Sequence, residues 1–398
     1  MKSIKVTLLA ISVAIAVSGG TAYAQTKEPI KIGVPTALTG SLADLGDQVK
    51  RAVTFAADEA NAAGGVDGRK VEVRFLDDQG RADVARQQGE KLALDGYRLL
   101  VGTIQSGEGL AMAPMLQRWD ALYLSTINKA NEVTGVSCNP RMFRVNRPDS
   151  SDTAVVKPWL TTRKEAKWAV LATDSTWGHN SGTSFGNAAK RLNRQVVSEA
   201  YAPVGTNDFA PYIQAAANSG ASGMWVALSG RDAVNFVNQA KQFGLLNKVV
   251  VAGVTYASDN MVKSSGDNLN GAWTVINYSS TLNTPANKKF VADWTKKYPG
   301  TWPTNFEGET YVGMQVLFQA IRKANSAKPA DVAKALSGGT FETVFGAQRM
   351  RPEDHQLTAP NFFGVVEPVD GKLRPSIKTT VPADVATPAP DGSCKLQS

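Results

Sequence analysis

Short apolar, β-branched runs alternate along the chain with longer stretches of helical periodicity, and the alternation occurs in two series. Residues 30–34, 71–76, 99–102, 122–125 and 142–145 read as strands of one sheet. Each is short and apolar at nearly every position, as strands buried on both faces are. Helical patterns fill the gaps between them. Over 44–63, Val49, Val53, Ala56, Ala57 and Ala60 fall on one helical face, and Gly64 and Gly65 stop the helix. A second series begins at Trp168, with strands over 168–172, 195–200, 223–227 and 249–252 and a helix over 231–244. The repetition predicts an α/β chain built as two doubly wound parallel-sheet lobes.

The joins between the series define the expected domains. The stretch 143–149 closes the first series and 273–278 the second, after which helices over 288–297 and 310–324 resume the character of the first. Lobe one is therefore expected over 27–146 plus 277–346, and lobe two over 147–276 plus 347–380. A multi-strand hinge joins them, and 381–398 forms a C-terminal tail. Ligands of open α/β sheets bind beyond the carboxyl ends of the strands, so two facing sheets enclose a cleft.

A different pattern precedes the first strand. Lys2 and Lys5 flank an apolar run over 6–17, too short for a bilayer core that needs roughly 20 residues, and Ala22-Tyr23-Ala24 offers small residues where a signal peptidase reads. Residues 1–24 are expected to be a cleaved signal peptide, with Gln25 the first mature residue; the competing reading is an uncleaved anchor. No cysteine follows the cleavage site to carry a lipid, so a free periplasmic protein is expected.

Removing 24 of the 398 residues leaves 374, enough for two domains. With 43% hydrophobic and 20% charged residues the composition is that of a globular protein. The net charge of +8 falls to +6 without Lys2 and Lys5 and is spread along the chain without a basic block, which argues against nucleic acid as a partner. An oxidising compartment makes pairing of the two cysteines, Cys138 and Cys394, the default expectation, against a reading of two free thiols. A bridge would pin the Pro-rich tail to the body. Only His179 and His355 could join the cysteines on zinc, too few ligands for a metal site.

Several ordered blocks resemble a known family. Ile30-Lys-Ile-Gly-Val-Pro-Thr-Ala-Leu-Thr-Gly-Ser41, Gly46-Asp47, Asp58-Glu-Ala-Asn-Ala-Ala-Gly-Gly-Val-Asp-Gly68 and Val71-Glu-Val-Arg-Phe-Leu-Asp-Asp78 resemble the opening of the leucine/isoleucine/valine-type periplasmic binding proteins of ABC importers. The likeness continues through Trp177-Gly178, Asp208-Phe209, Tyr311 and Gly364. It implies a type I periplasmic binding protein fold and a hinge-closing clamp. The clamp presents a bound solute to a permease at the inner membrane, with a monomer expected and no cofactor.

The resemblance also implies site residues. In Gly102-Thr-Ile-Gln-Ser-Gly-Glu-Gly109, leading into a helix over 110–119, Ser106 with Gly107 matches the family's carboxylate grip, and helix-start amides suit an anion; the alternative is a helix cap. Ile127, Asn128 and Lys129 match the second anchor segment, and a lysine facing the cleft would favour an anionic ligand. Trp177 stands where the family places an aromatic that closes over the ligand. Ser229 with Gly230 and Phe306 match further cleft positions, and Leu45 and Tyr256 complete the expected lining. The acid that holds the ligand ammonium in amino-acid binders aligns with Thr255. An ammonium buried without a counter-charge is costly, so a non-amino carboxylate, an aromatic or keto acid, is expected rather than leucine or its relatives. A shift of the alignment would place Glu132 or Asp174 in that role.

Enzyme motifs form the competing class. Gly182-Thr-Ser-Phe-Gly186 fits G-x-S-x-G, but it lies about ten residues past the preceding strand, too far for Ser184 to sit on a nucleophile elbow. No Walker loop, H-E-x-x-H or dinucleotide fingerprint is present. A ligand-sensing receptor domain would use the same clamp as a transporter subunit.

Overall fold

The computed structural model describes residues 27–369 and 371–396. The expected signal peptide and its cleavage site lie outside the described residues. Two sheets organise the chain. Strands β1 (Ile30–Thr36), β2 (Val71–Asp77), β3 (Leu99–Gly102), β4 (Leu122–Ser125) and β5 (Met142–Arg144) form the first, in the order β2-β1-β3-β4-β5 and all parallel. Strands β6 (Lys167–Thr173), β7 (Gln195–Ala202), β8 (Gly223–Ala227), β9 (Val250–Val254) and β10 (Trp273–Ile276) build the parallel part of the second, ordered β10-β9-β8-β6-β7. A small hairpin of β11 (Thr340–Thr343) and β12 (Gly346–Arg349) stands apart. Two strands unforeseen in the sequence, β13 (Asn361–Val369) and β14 (Lys372–Val381), extend the second sheet antiparallel beyond β10.

Continuous apolar strands make sense here because both faces of each sheet are covered. Alternate side chains of a strand point to opposite faces. Leu99, Val101, Leu122 and Leu124 enter one core with the helices Ala43–Ala62 and Asn305–Ala324, while Leu100 and Tyr123 enter another with Leu92, Met112 and Trp119. The second sheet divides in the same way. Ala169, Leu171, Met224 and Val226 face one core, and Trp168, Val170, Trp225 and Ala227 face the other. Each large side chain fully removed from water stabilises the fold by about 1.5–3 kcal/mol, so the alternation fixes each strand's orientation firmly.

Between the two sheets the chain crosses three times, through residues 145–148, 277–284 and 350–360. Met350 and Leu357 pack in the first core, so the last return to the second sheet comes at Asn361, later than the expected 347. Cys138 and Cys394 are bonded, fixing the tail beside the first sheet after its short helix Ala383–Ala386 has packed on the second. The lobes touch across the cleft. Arg231 N donates to Ser41 O at 3.1 Å, and Asn131 N to Asn180 Oδ1 at 3.1 Å. No helix among the described residues is long and apolar enough to cross a membrane.

Candidate ligand cleft

Five strands end at one cavity between the lobes. Ile104 and Gln105 follow β3, Ile127 and Lys129 follow β4, Trp177 follows β6, Ser229 follows β8 and Thr255 follows β9; Phe306 completes the wall. The space between these residues, its open mouth included, is about 290 Å³. The expected residues Ile127, Lys129, Trp177, Ser229, Thr255 and Phe306 are thus brought together. Ile104 and Gln105, from the same segment 102–109 as Ser106 and Gly107, line it as well without any local sequence signal that sets them apart.

Local chemistry explains how these side chains reach the cleft. Trp177 opens the helix Thr176–Arg191, whose N-cap Ser175 accepts from Gly178 N at 3.2 Å. A Cβ at residue 178 would stand 1.8 Å from Thr173 O, so only glycine permits this tight entry. Phe306 sits in the first turn of helix Asn305–Ala324. A capping box holds that turn, with Thr304 N donating to Glu307 Oε2 at 2.8 Å and Thr304 Oγ1 donating to Gln48 Oε1 at 2.6 Å. Two threonines beside the cavity adopt left-handed backbone, Thr103 at φ 52° and Thr255 at φ 66°. A β-branched residue pays on the order of 1–3 kcal/mol for that conformation, and such strain gathers at binding sites. Thr255 Oγ1 donates to Leu228 O at 2.6 Å and Thr103 Oγ1 pairs with Tyr123 OH at 2.8 Å, which holds both in place.

Several expected contacts lie elsewhere. The Ser106 hydroxyl oxygen is buried and accepts Lys129 N at 3.1 Å and Ala130 N at 3.0 Å, tying two loops of lobe one together. Gly107 faces Thr176 of the second lobe, not the cavity. Asn128 is buried behind the wall, where its amide donates to Thr103 Oγ1 and Gln105 O and its carbonyl accepts from Tyr123 OH at 2.6 Å. Tyr256 lies in the core of lobe two with its hydroxyl donating to Trp273 O at 3.0 Å, and Leu45 lies in the core of lobe one. The helix expected over 110–119 begins earlier, at Ser106, and ends at Met112. Just before it, Ile104 N and Gln105 N both donate to the Glu108 carboxylate, at 2.8 and 2.9 Å, and Glu108 N donates to Gln105 O at 3.1 Å. Burial raises the Glu108 carboxyl well above its ordinary range, helped by the charge of Asp78, which burial itself pushes up to about 7.

Lys129 borders the cavity, but its charge is answered by protein. The ammonium stands 3.1 Å from Asp152 Oδ2, 3.1 Å from Asn277 Oδ1 and 3.2 Å from Arg147 O. Burial raises the Asp152 carboxyl and the Lys129 charge draws it back. Arg147 in turn lies 3.8 Å from Glu309, whose carboxyl burial pushes up to about 7. Of these groups, Arg147 and Asn277 lie in the hinge crossings. Glu132 accepts from Asn180 at 2.9 Å and Asp174 pairs with His179 at 2.8 Å; neither lines the cavity. No Asp or Glu does.

The family model of the periplasmic binding proteins matches residues 29–372. This chain belongs to the periplasmic binding protein family. Among curated relatives, the Leu/Ile/Val-binding protein homolog 8 of Brucella suis biovar 1 (strain 1330) is 26% identical over 344 residues, covering 83% of this chain and 85% of that one. A solute-binding protein of an ABC transporter from Rhodopseudomonas palustris BisB5, solved with 3,4-dihydroxybenzoic acid, superposes with a TM-score of 0.82 at 24% identity, covering 89% and 98% of the two chains. The closed leucine-, isoleucine-, valine-, threonine- and alanine-binding protein of Brucella ovis gives 0.80 at 21% identity, covering 93% and 99%. These likenesses bear out the type I fold of two lobes. Members of the periplasmic binding protein family carry solutes outside the cytoplasm. In this one, the G-x-S-x-G run lies inside the helix Thr176–Arg191 rather than at a strand-to-helix turn, and His355 stacks on Phe143 in the hinge.

Proposed function

We propose that this binding protein serves an ABC importer, catalyses nothing, and clamps a small aromatic carboxylic acid between its lobes for delivery to a permease. One observation carries the choice of ligand. Thr255 stands at the cleft end of β9, at the position the family resemblance matches to the acid of amino-acid binders, and among the described residues no acidic side chain lines the cavity to answer an ammonium. The apolar part of the wall suits a ring, with Ile104, Ile127, Trp177 and Phe306 lining the cavity. In this reading lobe two supplies donors for the acid group, beside the Gln105 amide of lobe one. Trp177 Nε1–H is buried without a protein acceptor. Ser229 begins the helix Gly230–Gln242 but its hydroxyl takes no capping bond, so it is free to donate beside the positive end of that helix. The aromatic acid held by the Rhodopseudomonas palustris neighbour supports the same reading.

The test is calorimetry of the mature protein against benzoate, 3,4-dihydroxybenzoate and phenylpyruvate, beside leucine, isoleucine and valine. Binding of at least one aromatic acid with no heat from the amino acids is the expected result. Tight binding of leucine, isoleucine or valine with silence from the aromatic acids would sink the proposal and leave the branched-chain reading suggested by the Brucella relative's name.

A further inference from the structure

Outside the cavity lining, one tryptophan of lobe one reaches across to polar partners on lobe two. Trp302 lies in the connection between the helices Pro285–Lys297 and Asn305–Ala324, both of which pack in the first core. Its indole is surrounded by cations of the second lobe. The Arg374 guanidinium stands 4.6 Å from the ring centroid, Lys372 Nζ 5.5 Å and Lys263 Nζ 5.6 Å. Lys372 and Arg374 belong to β14, and Lys263 to the helix Asp259–Ser265. The indole N–H donates to Asp259 Oδ1 at 3.3 Å, and this carboxylate opens the same helix.

Trp302 is part-exposed and outside the cavity lining, so it contributes little to either core and does not contact the ligand space. Its partners are all on the opposite lobe. Separating the lobes therefore removes every one of these contacts at once, while leaving each lobe's core intact. A contact made in one of two states shifts the equilibrium toward that state by its own free energy. Cations over an indole face are favourable, more so when partly desolvated, and the N–H to a buried carboxylate adds a charge-assisted bond. The seat also explains why three cations gather on one surface of lobe two: the indole and Asp259 offset their mutual repulsion.

We propose that Trp302 is a latch that sets how long the clamp stays shut, and hence affinity and residence time, without touching the ligand. The inference rests on the clamp reading above but not on the ligand's identity. A disulfide trap tests it without any ligand. Ser41→Cys and Arg231→Cys place a thiol pair where the lobes' backbones meet at 3.1 Å, so the rate of bond formation reports how often the clamp closes. Adding Trp302→Ala is expected to slow trapping about tenfold, equivalent to about 1.4 kcal/mol in the closing equilibrium. Trp302→Phe, which keeps a ring and loses the N–H, should fall between. In stopped-flow with 3,4-dihydroxybenzoate as the probe, Trp302→Ala should speed dissociation by a similar factor. The melting temperature of the ligand-free variant should match that of the parent, and if it does not, Trp302→Phe carries the test. Slowed trapping with no binding of any aromatic acid would keep the latch and overturn the ligand assignment. An unchanged trapping rate overturns the latch, whatever the ligand does.

Discussion

The two walls of the cleft are built from the same kind of loop, a strand end running into a helix, yet they use their polar groups differently. In lobe one, Ser106, Asn128, Glu108 and Lys129 are engaged with one another, with backbone amides or with the hinge. In lobe two, Trp177 Nε1 has no acceptor and the Ser229 hydroxyl makes no cap. The comparison teaches that a polar residue at a strand end is not thereby a ligand contact. At the cavity lobe one offers Ile104, Ile127 and Phe306 with Gln105 and the engaged Lys129, and the proposed binding mode assigns the acid group to lobe two.

The largest effect should come from breaking lobe one's best-engaged group. Lys129→Met leaves Asp152 buried beside an apolar chain, and removing one partner of a buried pair costs about 3–5 kcal/mol. Urea denaturation should show that loss. Were Lys129 instead a free cation for the ligand, affinity would fall and stability would hardly move. The next effect is in pH. Glu309 carries an ordinary value of 4.5 when unfolded and about 7 when folded, so the native state holds its proton more tightly between those limits. Its contribution to stability is present at low pH and is lost as pH rises from about 4.5 to 7. Relative to Glu309→Gln, the parent should therefore lose on the order of 2–3 kcal/mol across that window, read from urea midpoints at pH 5 and pH 8.

Much of the fold was legible in the sequence because strand character does not depend on what lies far away in the chain. The nine strands read from apolar runs all recur, within two residues at either end; the interior ones are buried on both faces and show it, while the edge strands β2 and β7 are partly exposed. Strands β13 and β14 were missed for the opposite reason. Val365, Glu367, Arg374 and Lys378 mix polar and apolar positions because one side of this antiparallel edge stays wet. Within the cleft, the loops could be found but the direction of each side chain could not. Ser106 and Gln105 are neighbours, and which one faces the cavity is decided by the backbone amides of Lys129 and Ala130, 23 and 24 residues away. Likewise nothing local marks Lys129 as the partner of Asp152 and Asn277.

Recognition from lobe two predicts that Trp177→Ala weakens 3,4-dihydroxybenzoate by about 30-fold or more, near 2 kcal/mol, as expected for truncating a central aromatic. Trp177→Phe should lose the smaller part that belongs to the N–H. On the other wall, Ser106→Ala strands two buried amides, and the loss of about 1–2 kcal/mol should appear in unfolding rather than in binding. A Ser106→Ala protein of parental stability but poor affinity would return the carboxylate grip to lobe one.

Ser229→Ala should give the smallest and most discriminating change. Serine at a helix N-cap ordinarily stabilises by accepting an amide, and its loss then costs about 1 kcal/mol of folding free energy. At Ser229 no such bond exists, while Arg231 N, which a cap could have engaged, donates instead to Ser41 O of the facing lobe at 3.1 Å. The hydroxyl has nothing to lose in folding. Its removal should leave the urea midpoint unchanged and lower affinity for 3,4-dihydroxybenzoate about fivefold, close to 1 kcal/mol, the scale of one hydrogen bond to a charged acceptor shared with water. A benzoate analogue whose acid group is replaced by an uncharged methyl ketone should bind parent and variant with nearly equal, weak affinity. The difference between the two ligands then measures how much of the acid group this one hydroxyl holds, and a difference of zero would mean that lobe two receives the ring and not the carboxylate.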